Sequence, residues 1–363
     1  MEYTKGYKFR LYPNKTQKNL LNKILGCCRF VYNRFLTVRK ESWENEKKSV
    51  SYTQTSSMLT QLKKENAWLN DADSIALQQS LRNLDTAYQN FFKNDRGYPR
   101  YKSKKNHRQT YRTMNIRIEG KRIRLPKVGS VKFEQSRKFQ GKILNATITR
   151  TATEKYFVSL CVEEDIADNL KLNAGRHIGI DVGLKEFYTD NFGNTVSNPR
   201  ILKSLTPRLR REQRRLSKKK IGSHNRDKQR IKVARVHEKI SNARLDFLHK
   251  ESTRLCRENQ TIAVESLQVK NLMKNHKLAK AISDVSWGEF FRQLSYKAIL
   301  YGCDVIKIPT FYPSSQTCSC CGFKNPMTKN LSVRHWRCPK CGTFHDRDLN
   351  AAKNILYKAL EIK

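Results

Sequence analysis

Four cysteines near the carboxyl-terminal end of the sequence form two Cys-x-x-Cys pairs, Cys318 with Cys321 and Cys338 with Cys341. Four thiolates at this spacing are typical of a zinc ribbon, in which one tetrahedral Zn²⁺ replaces a hydrophobic core. Glycine follows each pair and suits a turn with positive φ, which lets backbone amides approach the thiolates. The sequence therefore predicts a structural zinc site, within a ribbon at 314–343.

A further cysteine, Cys320, leaves the register of the first pair open. Only Cys318 with Cys321 repeats the spacing of the second pair, and we predict that pairing. A cluster of free or disulfide-bonded cysteines is the alternative to a zinc site. The remaining cysteines fall in apolar segments and are predicted to be core residues: Cys27, Cys28, Cys161, Cys256 and Cys303.

Three acidic residues stand at the ends or starts of predicted elements. Asp181 follows a β-branched run in a predicted hairpin, Glu265 closes a second strand of buried type, and Asp348 is predicted to be the N-cap of an amphipathic helix. Each alone is compatible with a satisfied carboxylate, but a charge closing a buried strand is costly unless it is paired or binds a metal. Three converging carboxylates can hold two Mg²⁺ about 4 Å apart for phosphodiester hydrolysis. This pattern predicts a nuclease.

The balance of charge points to a polyanionic partner. The 363 residues include 73 basic and 32 acidic side chains, a net charge of +41 that exceeds what solubility requires. An anionic membrane is the alternative polyanion. However, no stretch approaches twenty apolar residues, no signal peptide is visible, and the basic residues are not confined to one amphipathic tract. We predict a nucleic-acid partner, no membrane, and a cytoplasmic, nucleoid-associated location.

Two basic stretches are the predicted nucleic-acid contacts. In 95–112 basic residues alternate with tyrosines, which suits phosphates and stacked bases. In 208–220 the charge is almost all positive and lacks the mixed signs that pair along a solvated helix. The residues predicted to contact nucleic acid are Tyr98, Arg100, Tyr101, Lys102, Lys104, Lys105, Arg208, Arg211, Arg214 and Arg215.

The first half of the chain changes from helical to strand periodicity. After a short strand at 7–11, apolar residues recur at helical spacing, and the aromatic face of the last of these helices is predicted to be core. From 111 to 164 the residues alternate as short strands with glycine turns, which favours a small antiparallel barrel. Within it, 143–150 is predicted to pair with 156–162. The predicted helices are 16–40, 53–64 and 74–93.

The second half alternates strands with helices, which indicates a mixed sheet. A polar stretch at 165–175 is predicted to be a linker. The hairpin of Asp181 follows it, and two long basic helices at 207–259 then interrupt the sheet. After Glu265 we predict a polar, lid-like stretch at 269–283, a helix at 286–301 and a further strand at 303–309.

These motifs resemble the TnpB (OrfB) family of insertion-sequence RNA-guided DNA endonucleases, which is ancestral to the type V CRISPR effectors. The likeness spans the chain, because the amino-terminal half resembles the family as well. The segments that carry it are YKFRLYP (7–13), LQQSLRNLDTAYQNFF (77–92), GIDVG (179–183), AVESL (263–267), SQTCSCCG (315–322), WRCPKCG (336–342) and HDRDLNAA (345–352).

The resemblance implies roles for the acidic residues and for the partners. Asp181, Glu265 and Asp348 correspond to the three catalytic positions of a RuvC-type site holding two Mg²⁺, while Asp346 would orient the site without binding metal. A guide RNA from the transposon end would pair with one strand of double-stranded DNA, next to a short transposon-adjacent motif. The bacterial protein would act as a monomer with its RNA, in transposon retention rather than strand transfer.

The expected fold class is mixed α/β. The resemblance implies that it comprises an RNase H-like (RuvC) nuclease domain with an inserted zinc ribbon, and an antiparallel β-barrel (wedge) domain carrying an inserted helical recognition lobe. The expected boundaries are 1–12 and 106–172 for the wedge, 13–105 for the lobe, 173–313 and 344–363 for the nuclease domain with its basic helical insertion at 207–259, and 314–343 for the ribbon.

Two other functions compete with this interpretation. A relative that represses transcription under RNA guidance without cutting would have lost catalytic carboxylates, whereas this chain retains all three. A conventional transposase of the Asp-Asp-Glu type would use the same metals with a different order of acidic residues. A His-x-His transposase is excluded, because no two histidines are two residues apart.

Overall fold

The computed structural model describes residues 2–94, 96–105, 108–165 and 175–362. Contacts divide the chain into two units, Met1–Ile166 and Ala167–Lys363. Most of the predicted linker at 165–175 lies outside the described residues, and so do positions 95, 106 and 107 of the first basic stretch. Each unit is described in turn.

An antiparallel sheet of seven strands organises the first unit, in the order β2-β6-β7-β1-β5-β4-β3. The predicted hairpin is confirmed as β6 and β7, in which Arg150 pairs with Tyr156. The amino-terminal strand β1 lies between β7 and β5. The strands are β1 Glu2–Tyr12, β2 Arg108–Thr113, β3 Arg117–Glu119, β4 Arg122–Leu125, β5 Gly129–Glu134, β6 Lys142–Thr151 and β7 Tyr156–Asp165.

The predicted antiparallel β-barrel is wrong for the described residues, because this sheet is open. Its hydrogen-bonded ladder ends at β2 on one side and at β3 on the other. Closure requires the two edge strands to pair along their length. The edge strand β3 has three residues, of which Arg117 and Glu119 are charged and exposed, and short charged edges oppose further pairing.

Three helices accompany this sheet: α1 Lys15–Glu46, α2 Tyr52–Glu65 and α3 Ser74–Lys93. The side chains of Asn14 and Ser51 form capping boxes that start α1 and α2. The aromatic face of α3 was predicted to be core throughout, and for its last turn this is wrong. Leu77, Leu81 and Leu84 are buried, but Phe92 is 76% exposed.

A mixed sheet of five strands organises the second unit, in the order β10-β9-β8-β11-β12. Strands β8, β11 and β12 are parallel, whereas β9 and β10 continue the sheet as antiparallel strands. The predicted mixed α/β character is therefore confirmed, and Asp181 lies in the central strand. The strands are β8 His177–Val182, β9 Glu186–Asp190, β10 Thr195–Ser197, β11 Thr261–Glu265 and β12 Asp304–Ile308.

The helices of this unit are α4 Ile201–Ser217, α5 His224–Glu258, α6 Val269–Leu272, α7 Ala279–Val285, α8 Trp287–Tyr301 and α9 Arg347–Ile362. Helix α4 begins before the predicted start at 207 and includes Pro207. Its first turn is stabilised by Asp284, whose carboxylate oxygens accept from the amide of Leu202 at 3.0 Å. Among the described residues, no helix combines the length and apolarity needed to cross a membrane.

The cysteine-rich segment between β12 and α9 folds around a two-stranded hairpin, β13 His335–Arg337 and β14 Phe344–Asp346. A short 3₁₀ turn, Pro326–Lys329, precedes the hairpin. Trp336 and two cysteine side chains form a small buried cluster here, with Val333 and Phe323 packed against it. So small an apolar cluster calls for an additional stabilising element, which is the role of metal in such segments.

Candidate active site and metal centre

A glycine in the central strand brings helix α9 directly onto the sheet. A Cβ atom built on Gly179 would overlap the carbonyl oxygen of Ala352 and lie 2.8 Å from Cβ of Leu356. Asp181 stands two residues further along the same face of β8, and Asp348 stands one turn before Ala352 in α9. The close contact at Gly179 therefore places the two carboxylates near each other.

The third carboxylate comes from the neighbouring parallel strand. Glu265 ends β11, directly after Val264, which pairs with Ile180 of β8. The side chains of Asp181, Glu265 and Asp348 all line one cavity of about 260 Å³. The structure thus brings together the three carboxylates that the sequence singled out, from two strands and one helix.

The cavity is electrostatically unfavourable for its own carboxylates. Burial, followed by the charges of Glu265 and Asp348, raises the pKa of Asp181 well above its ordinary value of 3.8, while Arg347 and Arg334 oppose this shift. A buried carboxyl group whose pKa is raised by neighbouring carboxylates, as that of Asp181 is, is characteristic of functional sites. Divalent cations relieve such repulsion, so the donor set fits hard cations that prefer oxygen ligands.

The predicted N-cap of the last helix is wrong by two residues. Helix α9 begins at Arg347, and Oδ1 of Asp346 accepts hydrogen bonds from the amides of Asp348 at 3.0 Å and Leu349 at 2.9 Å. Asp346 is therefore the capping residue. Asp348 lies in the first helical turn, where its side chain is free of capping and lines the cavity.

Two residues missed by the sequence analysis hold these carboxylates. Ser314 donates from Oγ to Oε1 of Glu265 at 2.6 Å, and Arg334 contacts Oδ1 of Asp348 at 3.1 Å. A third, Arg347, also lines the cavity and donates to the carbonyl of Asn330. Spacing could not have identified the two arginines among 73 basic residues, because only the folded ribbon brings them to the cavity.

The four predicted zinc ligands converge. Sγ of Cys318 lies 3.6 Å from Sγ of Cys341, and Sγ of Cys321 lies 3.6 Å from Sγ of Cys338. Tetrahedral coordination with Zn–S bonds of about 2.3 Å requires sulfur atoms ~3.8 Å apart. The four thiols therefore fit one Zn²⁺, and the ligand atoms of the group all lie within 4.8 Å of one another.

The two pairs have the same local geometry, as their repeated spacing predicted. Gly322 and Gly342 have φ values of 73° and 74°, and each donates its amide to the carbonyl of the first cysteine of its pair at 2.9 Å. Hydrogen bonds from Thr343 lower the pKa of Cys341 to about 6, which favours the thiolate that a metal requires.

Cys320 has an alternative grouping in the structure, with Cys318 and His345. Nε2 of His345 lies 3.1 Å from Sγ of Cys318, a contact that the sequence analysis missed. This group offers three ligand atoms, whereas the two Cys-x-x-Cys pairs offer the four of a closed structural zinc site. The predicted register therefore stays our assignment.

Two buried asparagines attach the cysteine-rich segment to the helix that carries Asp348. Asn350 accepts from the amide of Ser319 at 2.9 Å and donates to the carbonyl of Thr317 at 2.8 Å. Asn354, one turn later, donates to the carbonyl of Ser314 at 2.8 Å. The cysteine-rich segment and the carboxylate cavity are thus both attached to helix α9 and form a continuous structure.

Comparison with known proteins identifies the family. A family model described as "Probable transposase" matches residues 159–276, and one described as "Cas12f1-like, TNB domain" matches residues 287–355. A Streptomyces pristinaespiralis protein, provisionally named RNA-guided DNA endonuclease, is 41% identical over 98% of this chain and 89% of its own length. The chain belongs to the TnpB (OrfB) family.

A second relative and a solved structure also match nearly the whole chain. The Escherichia coli protein provisionally named RNA-guided DNA endonuclease InsQ is 32% identical over 98% of this TnpB-family chain and 92% of its own. A solved complex of Cas12f1 with guide RNA and target DNA covers 98% of this chain and 99% of that chain, with 16% identity and a TM-score of 0.37.

One family model does not describe what its residues form here. Residues 1–48 match a model described as "Helix-turn-helix domain". In this TnpB-family chain the range contains the strand Glu2–Tyr12 and the single helix Lys15–Glu46 of 32 residues. Helix-turn-helix units need two helices joined by a short turn. We therefore infer no recognition helix from that match.

The residues predicted to contact nucleic acid lie in two places in this TnpB-family chain. In the first unit Tyr98 and Tyr101 are 44% and 54% exposed, and Arg100, Lys104 and Lys105 are exposed. Lys102 differs, because its ammonium lies 3.9 Å from the centre of the Tyr32 ring and burial lowers its pKa. This position leaves little of Lys102 for phosphate.

The predicted contacts on α4 are all exposed, and Glu212 divides them into two groups. Arg211 and Arg215 contact Oε1 of Glu212 at 3.5 and 3.3 Å. Arg208 and Arg214 have no acidic partner among the described residues. Contact of any of these side chains with nucleic acid stays a prediction.

The contact at Gly179 yields a prediction about stability. Gly179→Ala should force α9 away from β8, and overpacking of this kind costs about 1–3 kcal/mol. For a unit of the size of Ala167–Lys363, each kcal/mol lowers the melting temperature by about 2–4 °C. The matched control is Gly288→Ala, whose added Cβ would meet nothing within 4 Å. Equal melting temperatures for the two variants would refute the packing argument.

Proposed function

We propose that this TnpB-family chain is an RNA-guided endonuclease that cleaves double-stranded DNA next to a short transposon-adjacent motif. The observation that carries the proposal is the convergence of Asp181, Glu265 and Asp348 on one cavity, in a geometry that raises the pKa of Asp181. The names of two relatives that match nearly the full chain support RNA guidance and a DNA substrate.

The three carboxylates would hold two Mg²⁺, which would activate a water molecule and stabilise the leaving oxygen of a phosphodiester. Ser314 donates a hydrogen bond to one carboxylate oxygen of Glu265. The other carboxylate oxygen of Glu265 has no hydrogen bond among the described residues. The helix cap at Asp346 orients Asp348. Ser314 and the cap at Asp346 thus position two of the three carboxylates, and Glu265 keeps one oxygen atom for ligation.

Arg334 is the group best placed to meet the negative charge of a scissile phosphate. It lines the cavity and contacts Asp348 at 3.1 Å, yet its side chain is 52% exposed. An arginine pairs well with either a carboxylate or a phosphate, because its planar fork matches both. We assign Arg334 to orient the scissile phosphate.

The domain roles follow from the same proposal. We assign 1–12 and 106–172 to a wedge domain built on an open sheet, and 13–105 to the recognition lobe, both in contact with RNA and DNA. We assign 173–313 and 344–363 to the RuvC-like nuclease domain, with the basic helices of 207–259 against phosphate. The segment 314–343 would be a zinc ribbon whose Zn²⁺ is structural.

Two alternative functions remain testable. An RNA-guided repressor that does not cut would keep the binding surfaces, but it would have no use for three carboxylates gathered in one cavity, where they raise the pKa of Asp181. A conventional transposase agrees with the description of one family model. The order Asp, Glu, Asp along the chain differs from that of Asp-Asp-Glu enzymes, so we favour the endonuclease.

The proposal predicts a structured RNA in protein purified from cells. Sequencing that RNA should show a transposon-end segment joined to a guide, and the complex should cut a plasmid that carries the matching sequence when Mg²⁺ is present. A plasmid with a scrambled match is the control. Cleavage of both plasmids alike, or no RNA in the preparation, would contradict RNA guidance.

The same complex tests how much phosphate contacts contribute to the affinity for nucleic acid. With 6–10 phosphate contacts, affinity should fall by about 10³–10⁵-fold between 50 and 200 mM salt. Arg208 and Arg214 have no acidic partner among the described residues. If they contact duplex phosphates, Arg208→Ala and Arg214→Ala should each reduce by about one unit the salt slope, which is the slope of log affinity against log salt concentration. Filter binding over a salt series measures both quantities.

A further inference from the structure

The exposed end of α3 forms part of a pocket of about 630 Å³ within the first unit. We define it as the aromatic pocket, with walls formed by Trp43, Phe92 and Tyr98. These side chains are 56%, 76% and 44% exposed. Single exposed aromatics are ordinary, but three around one cavity form a contiguous apolar patch, which marks a binding surface. The cavity volume is within the range of small-ligand sites.

The aromatic pocket is preorganised. Tyr98 packs edge-on against Phe91 and Tyr88, with ring centroids 5.4 and 5.7 Å apart and interplanar angles of 81° and 88°. The hydroxyl groups of Tyr88 and Tyr98 are hydrogen-bonded at 2.9 Å. These contacts hold the loop after α3 against the helix, so a ligand would not have to order the wall that Tyr98 provides.

The floor of the aromatic pocket is polar, which distinguishes it from a groove for an apolar helix. Arg39 is 9% exposed and pairs with Asp85 at 2.9 Å, and Gln89 donates to the other oxygen of Asp85. Nε of Arg39 is buried and has no hydrogen-bond partner among the described residues. That nitrogen is inaccessible to a ligand, so the polar groups that a ligand can meet on the floor are the exposed Gln89 side chain and the partly exposed Asp85 carboxylate.

The rim is cationic. Lys93 lines the aromatic pocket and has no acidic partner among the described residues. Arg96 and Arg100 are exposed in the adjoining loop. The pocket therefore combines aromatic walls, a floor with polar side chains that can form hydrogen bonds, and cationic side chains at its rim. Its ligand should be a flat ring with hydrogen-bonding groups and an attached anion, which is a nucleotide.

We propose that the aromatic pocket binds one unpaired nucleobase of the RNA that associates with this chain. RNA is favoured over DNA because loops and bulges of a folded RNA already expose unstacked bases. In duplex DNA a base must first be unstacked and unpaired, at a cost in free energy. The inference rests on the proposed function for its RNA partner, but it assigns a site in the first unit, separate from the carboxylates.

Phe92→Ala and Trp43→Ala test the site, and the probe is an in vitro transcript of the RNA recovered from the purified complex. Each variant should weaken binding of that transcript about 5- to 150-fold, the range that 1–3 kcal/mol of base stacking represents. The salt slope should stay unchanged, because stacking releases no counterions. Lys93→Ala should instead reduce the slope by about one unit.

Matched controls separate this site from general effects. Phe311→Ala removes an aromatic that is 96% exposed in the other unit and should change neither affinity nor melting temperature. Ultraviolet crosslinking of the wild-type complex should attach a nucleotide to a peptide containing Trp43, Phe92 or Tyr98. Because the walls are exposed, Phe92→Ala should melt within a few degrees of wild type, so loss of binding would not reflect unfolding.

The outcomes are distinct. Wild-type binding of the transcript with unaffected Phe92→Ala and Trp43→Ala would overturn the pocket alone, whereas wild-type protein that binds no RNA would overturn both this inference and the proposed function. Loss confined to target DNA would show that the base comes from DNA and overturn the assignment to RNA. Self-association of the wild-type chain that Phe92→Ala abolishes would make the pocket a protein interface and also overturn it.

Discussion

Replacement of a single cavity carboxylate is expected to reduce DNA cleavage by at least about a hundredfold, since even changes behind a metal ligand commonly cost 10–100-fold. The informative variants are Asp181→Asn, Glu265→Gln and Asp348→Asn, which keep shape and remove charge. RNA binding should persist, because the proposed binding surfaces lie elsewhere. Single-turnover cleavage of a guide-matched plasmid, at equal RNA occupancy, measures the effect.

The comparison of Asp348 with Asp346 makes this test specific. Asp346→Ala removes a helix cap and should cost about 1 kcal/mol of stability with a milder loss of cleavage. If Asp346→Ala were inactive while Asp348→Asn cut normally, the assigned carboxylate would be wrong. Full activity in Asp181→Asn or Glu265→Gln would remove the nuclease assignment altogether.

The variant Asp181→Asn should be more stable than the wild-type protein when magnesium is withheld. The folded-state pKa of Asp181 is raised above 3.8, so the fold favours the protonated carboxyl group. The contribution of Asp181 to the free energy of unfolding is therefore fully present below pH 3.8 and is lost as the pH rises through the folded-state pKa. Asp181→Asn should therefore melt at a higher temperature than wild type at neutral pH. The difference should vanish on acidification, and a lower melting temperature at neutral pH would contradict the electrostatic argument.

Loss of one zinc ligand should have the second large effect. Cys338→Ser is expected to abolish zinc binding, unfold the ribbon and eliminate cleavage, since the free energy of a structural zinc site is about 10–16 kcal/mol in small metal-binding peptides. The link to activity is structural. Ser314 and Arg334 reach Glu265 and Asp348 only through the folded segment.

Cys320→Ser is the matched control for this prediction. It removes a neighbouring thiol from the alternative three-ligand group while leaving all four predicted ligands in place. Elemental analysis should find about one zinc per chain in wild type and in Cys320→Ser, and little in Cys338→Ser. Zinc retained by Cys338→Ser but lost from Cys320→Ser would show that the register is wrong.

The parts of this fold that the sequence predicted are those encoded locally. The zinc ligands follow from a repeated spacing, and the hairpin of β6 and β7 follows from alternation on both sides of a turn. Glu265 was singled out because a charge closing a buried strand is costly and because it belongs to a set of three acidic residues. Each of these signals lies within one short segment of the chain, where spacing and periodicity are informative.

The parts that the sequence did not predict depend on contacts between distant segments. Gly179 looks like an ordinary strand glycine until α9 is packed against it. Asn354 of α9 binds a carbonyl group of the ribbon, and Arg334 of the ribbon contacts Asp348 of α9. The predicted barrel failed because closure depends on how edge strands meet. The core assigned to Phe92 failed because helical periodicity does not show where the covering elements end.

The order of elements along the chain has a consequence for synthesis in the cell. All seven strands of the first sheet precede residue 166, whereas Asp348 follows the ribbon. At 5–20 residues per second, a ribosome needs about 10–40 s to make the ~180 residues between them. Because domains fold as they emerge, the surfaces proposed to hold RNA form before the nuclease has its third carboxylate. A nascent chain can therefore acquire its guide before it is able to cut.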